Sequence, residues 1–520
     1  MSNDFVYDQV RYPAQVYPKL HPSRLGAIAR LHGVPVATPK ACRFLEVGCG
    51  DGLTLVTLAM AYPESNFVGV DLSQAAIARG NAIRTKLGLE NLTLLDVDLL
   101  TWDPGEEPFD FVVAHGFYSW VPHVVRERLL ALCNQVLAPA GIACISYNAL
   151  PGCHMRRMLW DMLKFHSEGV QDPTARVARA QEFLELLKSG LPDNSLYATT
   201  MAGEIDELMD RLNPSVLFHD DLAEINDPCT LDQFVRHAAE HELTFVAEAN
   251  YHEMSSRKAH ERVRPLLEHI ARDDLVAKEQ YLDFFTGRRF RQTLLCRRNA
   301  CPRPTPDPGV ISALQVVSAL QPEASGADDE GRMRFSLPAS GGVVTDNAVI
   351  QAMLVESARL HPQPSWVNEL LDDALRTAGD ASQRTDQLEK VQQFLIRAFE
   401  VGLVELHCDS PRFADAASDR PRASRLAQLQ IQAGETVVTS LRPSTIELDD
   451  QITRSLLLAL DGQRDRAEIL SFMMQDLARS QPHADAQSTA APGIGELERH
   501  LDDNLIMMAK LGLLHEADAI

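Results

Sequence analysis

None of the nine cysteines in this sequence forms a Cys-x-x-Cys pair, and no second cluster completes a zinc site, so no metal centre is expected. Cys42, Cys133, Cys144 and Cys296 sit in apolar stretches, where a thiol packs as a small hydrophobe. That usage suits a reducing compartment, and a cytoplasmic location is expected. Long apolar runs are also missing. None approaches the ~20 residues that cross a bilayer, and the opening MSNDFVYDQVRYP lacks the cationic start and apolar core of a secretory signal. Membrane insertion is therefore not expected. Positive charge is scarce, with 49 Lys and Arg against 72 Asp and Glu and a net charge of −23. A phosphate backbone requires a basic footprint, so nucleic acid is not an expected partner. The acidity is concentrated late in the chain, where residues 301–520 hold 19 basic and 33 acidic side chains. A solvated acidic surface is the plainer explanation, a basic protein partner the sharper one.

What is present is enough apolar material, 45% of 520 residues, for three or four domains with cores of their own. The chain is organised around Cys42–Gly52, CRFLEVGCGDG. A short apolar strand (Phe44, Leu45, Val47) breaks into a turn with glycines at 48, 50 and 52, and an apolar helix follows. Such a turn lets backbone approach a ligand that side chains would exclude. About twenty residues on, the strand NFVGVD ends in Asp71, placed to accept ribose hydroxyls. The spacing G-x-G-x-G, rather than G-x-G-x-x-G, leans away from a pyrophosphate-binding dinucleotide fold.

From Cys42 onward strands alternate with helices: strands at 42–47, 66–71, 91–96, 109–114 and 141–147, helices near 52–61, 73–87 and 121–137. This predicts an α/β fold with a doubly wound, mainly parallel sheet covered on both faces. Before it lies an aromatic- and proline-punctuated arm, residues 1–40, with a helix closing at Gly33; it either packs on the domain surface or closes over the site with Tyr12 and its neighbours. The sheet domain is assigned to 41–170 and a mostly helical domain to 171–300, with β-like pieces at 243–249 and 290–296 read as a small sheet of its own. Residues 301–334 read as a linker opening on CPRPTPDPG. FLIRAFEVGLVELH (394–407) and NLIMMAKLGLLHEA (504–517) echo one another, which predicts two small helical or winged-helix-like modules at 335–410 and 440–520, joined by a connector at 411–439. Neither carries a basic recognition helix. The Ala-, Ser- and Gln-rich 480–493 reads as a mobile loop.

In a doubly wound sheet, ligands bind beyond the carboxyl ends of the strands. The groups delivered there are Glu46, Gly48, Cys49, Gly50, Asp51 and Gly52, then Asp71 and Leu72, then Asp98 and Leu99 as a carboxylate and apolar flank for a purine, then His115 to Trp120, then Ser146, Tyr147 and Asn148. With these residues the chain resembles the class I S-adenosylmethionine-dependent methyltransferases. The resemblance implies that the glycine loop meets the methionine portion of S-adenosyl-L-methionine, Asp71 the ribose and Asp98 the adenine, with His115 at the pocket wall. YDQVRYPAQVYPKLHPSRL, HGFYSWVP, SYNALPGCHMRRM and YLDFFTGRRFRQTLLC further resemble bacterial methyltransferases with a methyltransferase regulatory domain, among them protein-lysine methyltransferases of outer-membrane proteins. Cys153 departs from that pattern, where an aromatic residue is expected.

The resemblance implies methylation of a protein side chain, a lysine amine, on an outer-membrane or surface protein. Alternatives are a small-metabolite acceptor or a non-catalytic, cofactor-binding regulatory protein. Tyr12, Tyr118, Trp120 and Tyr147 are candidates for an aromatic slot around an alkylammonium, and His115 and His154 for proton acceptors. No N-P-P-Y is present, which argues against amino-methylation of adenine or glutamine. Periodicity leaves open whether the helical stretch after 150 docks on the sheet domain or pairs two copies as a homodimer.

Overall fold

The computed structural model describes residues 6–193, 195–210, 213–272, 274–338, 341–379, 384–480 and 494–516. A seven-stranded sheet in the order β3-β2-β1-β4-β5-β7-β6 is built from β1 (Arg43–Val47), β2 (Asn66–Asp71), β3 (Leu92–Asp96), β4 (Phe109–Ala114), β5 (Leu137–Asn148), β6 (Leu243–Glu248) and β7 (Phe290–Arg297). The first five pair in parallel, with Phe44 in register with Phe67 on one side and Phe111 on the other. Strand β7 runs antiparallel to both β5 and β6. After β1 the chain winds outward through β2 and β3 and then returns to β4. Strand order reverses at β1/β4, and a crevice forms there.

Both faces of the sheet are buried, which is why its parallel strands read as continuously apolar. On one face the rings of Phe67 and Phe111 each lie 6.0 Å from that of Phe44. Helices α1 (Pro22–Leu31) and α2 (Leu53–Ala61) cover this side. In α1, Leu25, Ile28 and Leu31 are buried, each contributing about 1.5–3 kcal/mol. The other face, with Leu45, Val47 and Val112, packs against α4 (His123–Val136), reached after α3 (Gln74–Leu87). Beyond β5 come α5 (Cys153–His166), α6 (Pro173–Gly190), α7 (Leu196–Asp210), α8 (Leu231–Glu240) and α9 (Leu275–Thr286). Phe234 and Ala238 of α8 complete the second face.

The β-like pieces at 243–249 and 290–296 do not make a separate small sheet. They are β6 and β7 of the main one, and what ties them in is hidden from a hydropathy reading. Arg291 is fully buried, with Nη1 2.6 Å from Glu248 of β6 and Nε 2.9 Å from Asp283 of α9. An uncompensated charge could not sit there.

The proline-rich start of the expected linker is pinned rather than free: Arg303 N donates to His32 O (2.7 Å) and Asp307 N to Leu31 O (2.8 Å). A strand at Gln315–Val317 then pairs with Ser365–Trp366 and Glu405–His407, so the first C-terminal unit begins well before residue 335. Within the expected connector, helix Arg425–Gln432 and strand Val437–Thr439 pack into the second unit, whose core includes Ala427, Val438, Leu456 and Leu505. The loop expected at 480–493 lies, after Ser480, outside the described residues. Among the described residues, no helix is long and apolar enough to cross a membrane.

Candidate cofactor and acceptor site

The glycine turn after β1 is held by its neighbours on β2. Gly48 N donates to Val70 O (2.8 Å), and the Asp71 carboxylate accepts from Gly50 N and from Ser73 N, each at 2.8 Å. Gly48, Gly50 and Gly52 all adopt positive φ, at 73°, 58° and 70°. At Gly48 and Gly52 space is short as well, since an added Cβ would lie 2.6 Å from Phe117 and 2.7 Å from Leu94. Ser73 caps α3 by accepting from Ala76 N (3.1 Å). Its hydroxyl also donates to Asp8 of the arm (2.5 Å), which fastens the arm beside the turn.

Two cavities open at the carboxyl ends of β1 and β4 and share Gly48, Asp71, Gly116 and Trp120 as a common wall. The smaller, about 270 Å³, is lined by Leu72, Val97, Leu99, Val121 and Val125, with Asp98 as its acidic edge. The larger, about 610 Å³, lies between the turn and the arm and takes in Tyr12, Tyr17, Glu46, His115, Asp220 and Phe290. Burial, together with Asp71 and Asp51, raises the Glu46 carboxyl to about 8. Burial and the neighbouring Asp221 raise Asp220 to about 7. Asp221 itself is held by Arg156 (2.8 Å) and the Trp160 indole (2.8 Å), so the two adjacent acids have separate tasks. Tyr17 is pushed up to about 12 by burial and by the Glu46 and Asp220 carboxylates, and stays a neutral phenol. His115 is lowered to about 4 by burial, its ring 4.1 Å from Tyr17 and 5.7 Å from Phe290.

These residues fit an adenosyl-amino-acid ligand. Among the described residues, Glu46 Oε2 is buried with no hydrogen-bond partner, an acceptor waiting for a donor such as an α-ammonium. The turn exposes backbone where a side chain would block approach. The apolar box with Asp98 on its rim suits a flat ring carrying an amine.

Comparison with known proteins agrees with this geometry. Family models match at residues 44–141 (a methyltransferase domain), 213–297 (a predicted methyltransferase regulatory domain) and 419–513 (PKMT, C-terminal winged helix domain). The solved structure of PKMT2 from Rickettsia typhi in complex with AdoHcy superposes with a TM-score of 0.83 at 25% identity, covering 97% of this chain and 99% of that one. The chain belongs to the class I S-adenosylmethionine-dependent methyltransferases. Two Rickettsia prowazekii proteins are also similar: RP789 is 35% identical over 294 residues, 56% of this chain and 53% of its own length. RP028 is 32% identical over 237 residues, 46% of this chain and 95% of its own length. The chain thus spans about half of one relative and nearly all of the other.

Within this methyltransferase sheet the sequence candidates fall in two groups. Glu46, Gly48, Cys49, Gly50, Asp51, Asp71, Tyr12, His115 and Trp120 line the larger cavity, while Leu72, Asp98 and Leu99 line the smaller. Gly52 lies just behind as the residue preceding α2. Tyr118 and Tyr147 do not join an aromatic slot. Tyr147 is buried with its ring stacked 4.2 Å from Phe234 and its hydroxyl 3.0 Å from Thr293. Tyr118 is buried with its hydroxyl 2.7 Å from His237 Nδ1. Successive strand residues point to opposite faces, so Asn148 reaches the cavity where Tyr147 does not. His154 is exposed on α5 outside both cavities, and Cys153 is buried with its thiol on Arg289 O (3.1 Å), away from the acceptor chamber.

Sequence reasoning did not single out Tyr17, Asp220 or Phe290 as site residues, and it placed Asn148 at the strand end without giving it a role. Asp220 had a legible signal: in LFHDDL an acidic pair is set between apolar residues, an arrangement that costs free energy unless the charges are used or paired.

Proposed function

We propose that the protein transfers a methyl group from S-adenosyl-L-methionine to the side-chain amine of a lysine in a protein substrate. The observation that carries this is the grouping of Tyr17, Glu46 and Asp220 in one chamber directly beside the glycine turn. Glu46, Asp71 and the Asp98 box would hold the cofactor, which supplies an electrophilic methyl on a sulfonium. The chain's own residues do the rest. Tyr12, Tyr17, Trp120 and Phe290 present aromatic rings to the chamber, and ring faces attract an alkylammonium while excluding water. A free lysine holds its proton up to pH ~10.4. Asp220, titrating at about 7, is ionised in a large fraction of molecules at neutral pH and is placed to take that proton. His115, lowered to about 4, serves as a wall rather than a base. Tyr17, still protonated, adds an uncharged aromatic wall beside the Glu46 and Asp220 carboxyls. The likeness to PKMT2 along nearly the whole chain supports the same acceptor class.

One observation favours a second reading, a small-molecule acceptor: Tyr12, Pro13, Ala14 and Gln15 of the arm line the chamber. The two readings separate by incubating purified protein with methyl-labelled cofactor, outer-membrane and surface-protein fragments, and a small-metabolite extract. Label recovered as methyl-lysine after hydrolysis of the protein fraction is the expected result. Label confined to small molecules would overturn it in favour of the second.

A further inference from the structure

Outside the cofactor crevice, four side chains from two helices meet on the second face of the sheet. His123 and Glu127 lie one turn apart on α4, and His237 lies in the last turn of α8, just before His241. A capping box between Thr230 and Gln233 opens α8 and fixes its phase, so His237 and His241, also one turn apart, both face α4. The Glu127 carboxylate is the shared centre: Oε1 lies 3.5 Å from His123 Nε2 and 2.8 Å from His237 Nε2, while Oε2 lies 2.9 Å from His241 Nε2. The ligating atoms of His123, Glu127 and His237 all fall within 4.8 Å of one another.

We propose that His123, Glu127, His237 and His241 form a binding site for one divalent transition-metal ion of the zinc class. Three imidazoles and one carboxylate are the donor types such an ion takes in a closed four-ligand site. With metal–nitrogen bonds of ~2.0–2.1 Å, tetrahedral ligand atoms stand about 3.3 Å apart, close to the spacings around Glu127, and His241 joins the other three through its contact with Glu127 Oε2. His237 carries the orienting contact that metal-bound histidines characteristically have: its Nδ1 is 2.7 Å from the Tyr118 hydroxyl, which leaves Nε2 as the ligating atom. Three of the four groups are at least partly shielded, with His237 13% exposed, while His123 at 77% leaves a path for the ion to arrive.

The consequence is mechanical. An ion here clamps α4, which falls in the segment matching the methyltransferase model, to α8, which falls in the segment matching the regulatory model. Tyr118 starts the short turn that ends in Trp120, a wall of both cavities, so the clamp sits directly behind the cofactor crevice.

The test uses the full chain without a polyhistidine tag, stripped with chelator, and titrated with zinc sulfate by calorimetry and by thermal unfolding. One equivalent bound, with a higher Tm, is expected. His123→Ala, at an exposed position, and Glu127→Gln should each weaken binding by about tenfold or more, and Tyr118→Phe by about 10–100-fold. Anomalous scattering at the zinc edge should give a peak between α4 and α8. Absence of saturable one-to-one binding overturns the proposal. So does binding that His123→Ala and Glu127→Gln leave unchanged, since the ion would then sit elsewhere.

Discussion

The ring of Tyr17 lies 4.1 Å from that of His115, tilted by 57°, and this contact carries the N-terminal arm onto the carboxyl end of β4. The arm is held at further points by His219 Nε2 to Val10 O (2.7 Å) and by Arg11, placed 3.8 Å from Asp51 and 3.6 Å from Glu435. One wall of the acceptor chamber is thus supplied by residues that precede the sheet.

Tyr17→Ala should therefore lower kcat/KM for the acceptor by about tenfold or more, the value of a desolvated cation–π contact, while Tyr17→Phe keeps most of the activity. Tyr147→Phe provides the contrast. Its hydroxyl meets Thr293 in the core, so the variant should lose about 0.5–1.5 kcal/mol of stability with transfer kinetics intact. Steady-state kinetics and urea unfolding on the same preparations read both; equal kinetic defects would place Tyr147 in the site after all.

Asp220 should set an ascending limb in the pH–rate profile. Its carboxyl titrates at about 7, so the basic form, and with it kcat/KM, increases as pH rises through that value. Asp220→Asn should remove the limb and cost about 10²–10⁴-fold, the usual worth of a general base. A limb with an unchanged midpoint in the variant would assign the titration to another group.

Glu46 makes a prediction for stability. Folding raises its carboxyl from 4.5 to about 8, so the native state binds that proton more tightly than the unfolded chain does. The contribution is complete below pH 4.5 and is lost progressively as pH rises to about 8. Tm of the cofactor-free protein should fall across that window, and Glu46→Gln should flatten the fall and be more heat-stable than the parent at pH 8. The same variant should bind the demethylated cofactor more weakly by calorimetry, because the orphan acceptor Oε2 is gone.

The glycines of the turn differ in a measurable way. Gly50→Ala meets nothing within 4 Å and suffers only a φ of 58°, a penalty of about 1–2 kcal/mol. Gly52→Ala adds a Cβ 2.7 Å from Leu94 Cδ2 to a φ of 70°, so denaturant unfolding should show a larger loss than at Gly50. Equal losses would mean that Leu94 moves aside freely.

Much of the crevice was readable because its signals are local. A buried parallel strand must be apolar throughout, a tight turn needs glycine, and Asp71 follows at the end of the next strand. The parts that escaped depend on partners distant in sequence. FRQTLLCR reads as a strand of a separate small sheet, and the burial of Arg291, Gln292 and Thr293 makes sense only once Glu248 and Asp283 are known to surround them. Tyr118 and Tyr147 stand beside cavity-lining positions along the chain, but the pleat and α8 turn them into the core. Asp220 reaches the chamber from a segment whose Leu217 and Phe218 pack with α5 to α7, a contact distant in sequence from the glycine turn.

The place of β7 in the sheet also bears on how the chain matures during synthesis. Strand β5 ends at Asn148, but the neighbour that covers its outer edge, β7, is not complete until Arg297. At about 5–20 residues per second, a ribosome leaves that apolar edge without its partner for roughly 7–30 s. Strand β7 must then settle between β5 and β6, bringing Arg291 to its carboxylates as it closes. Truncations ending before residue 290 should consequently be recovered as aggregates, because the unpaired edge of β5 is a template for other chains.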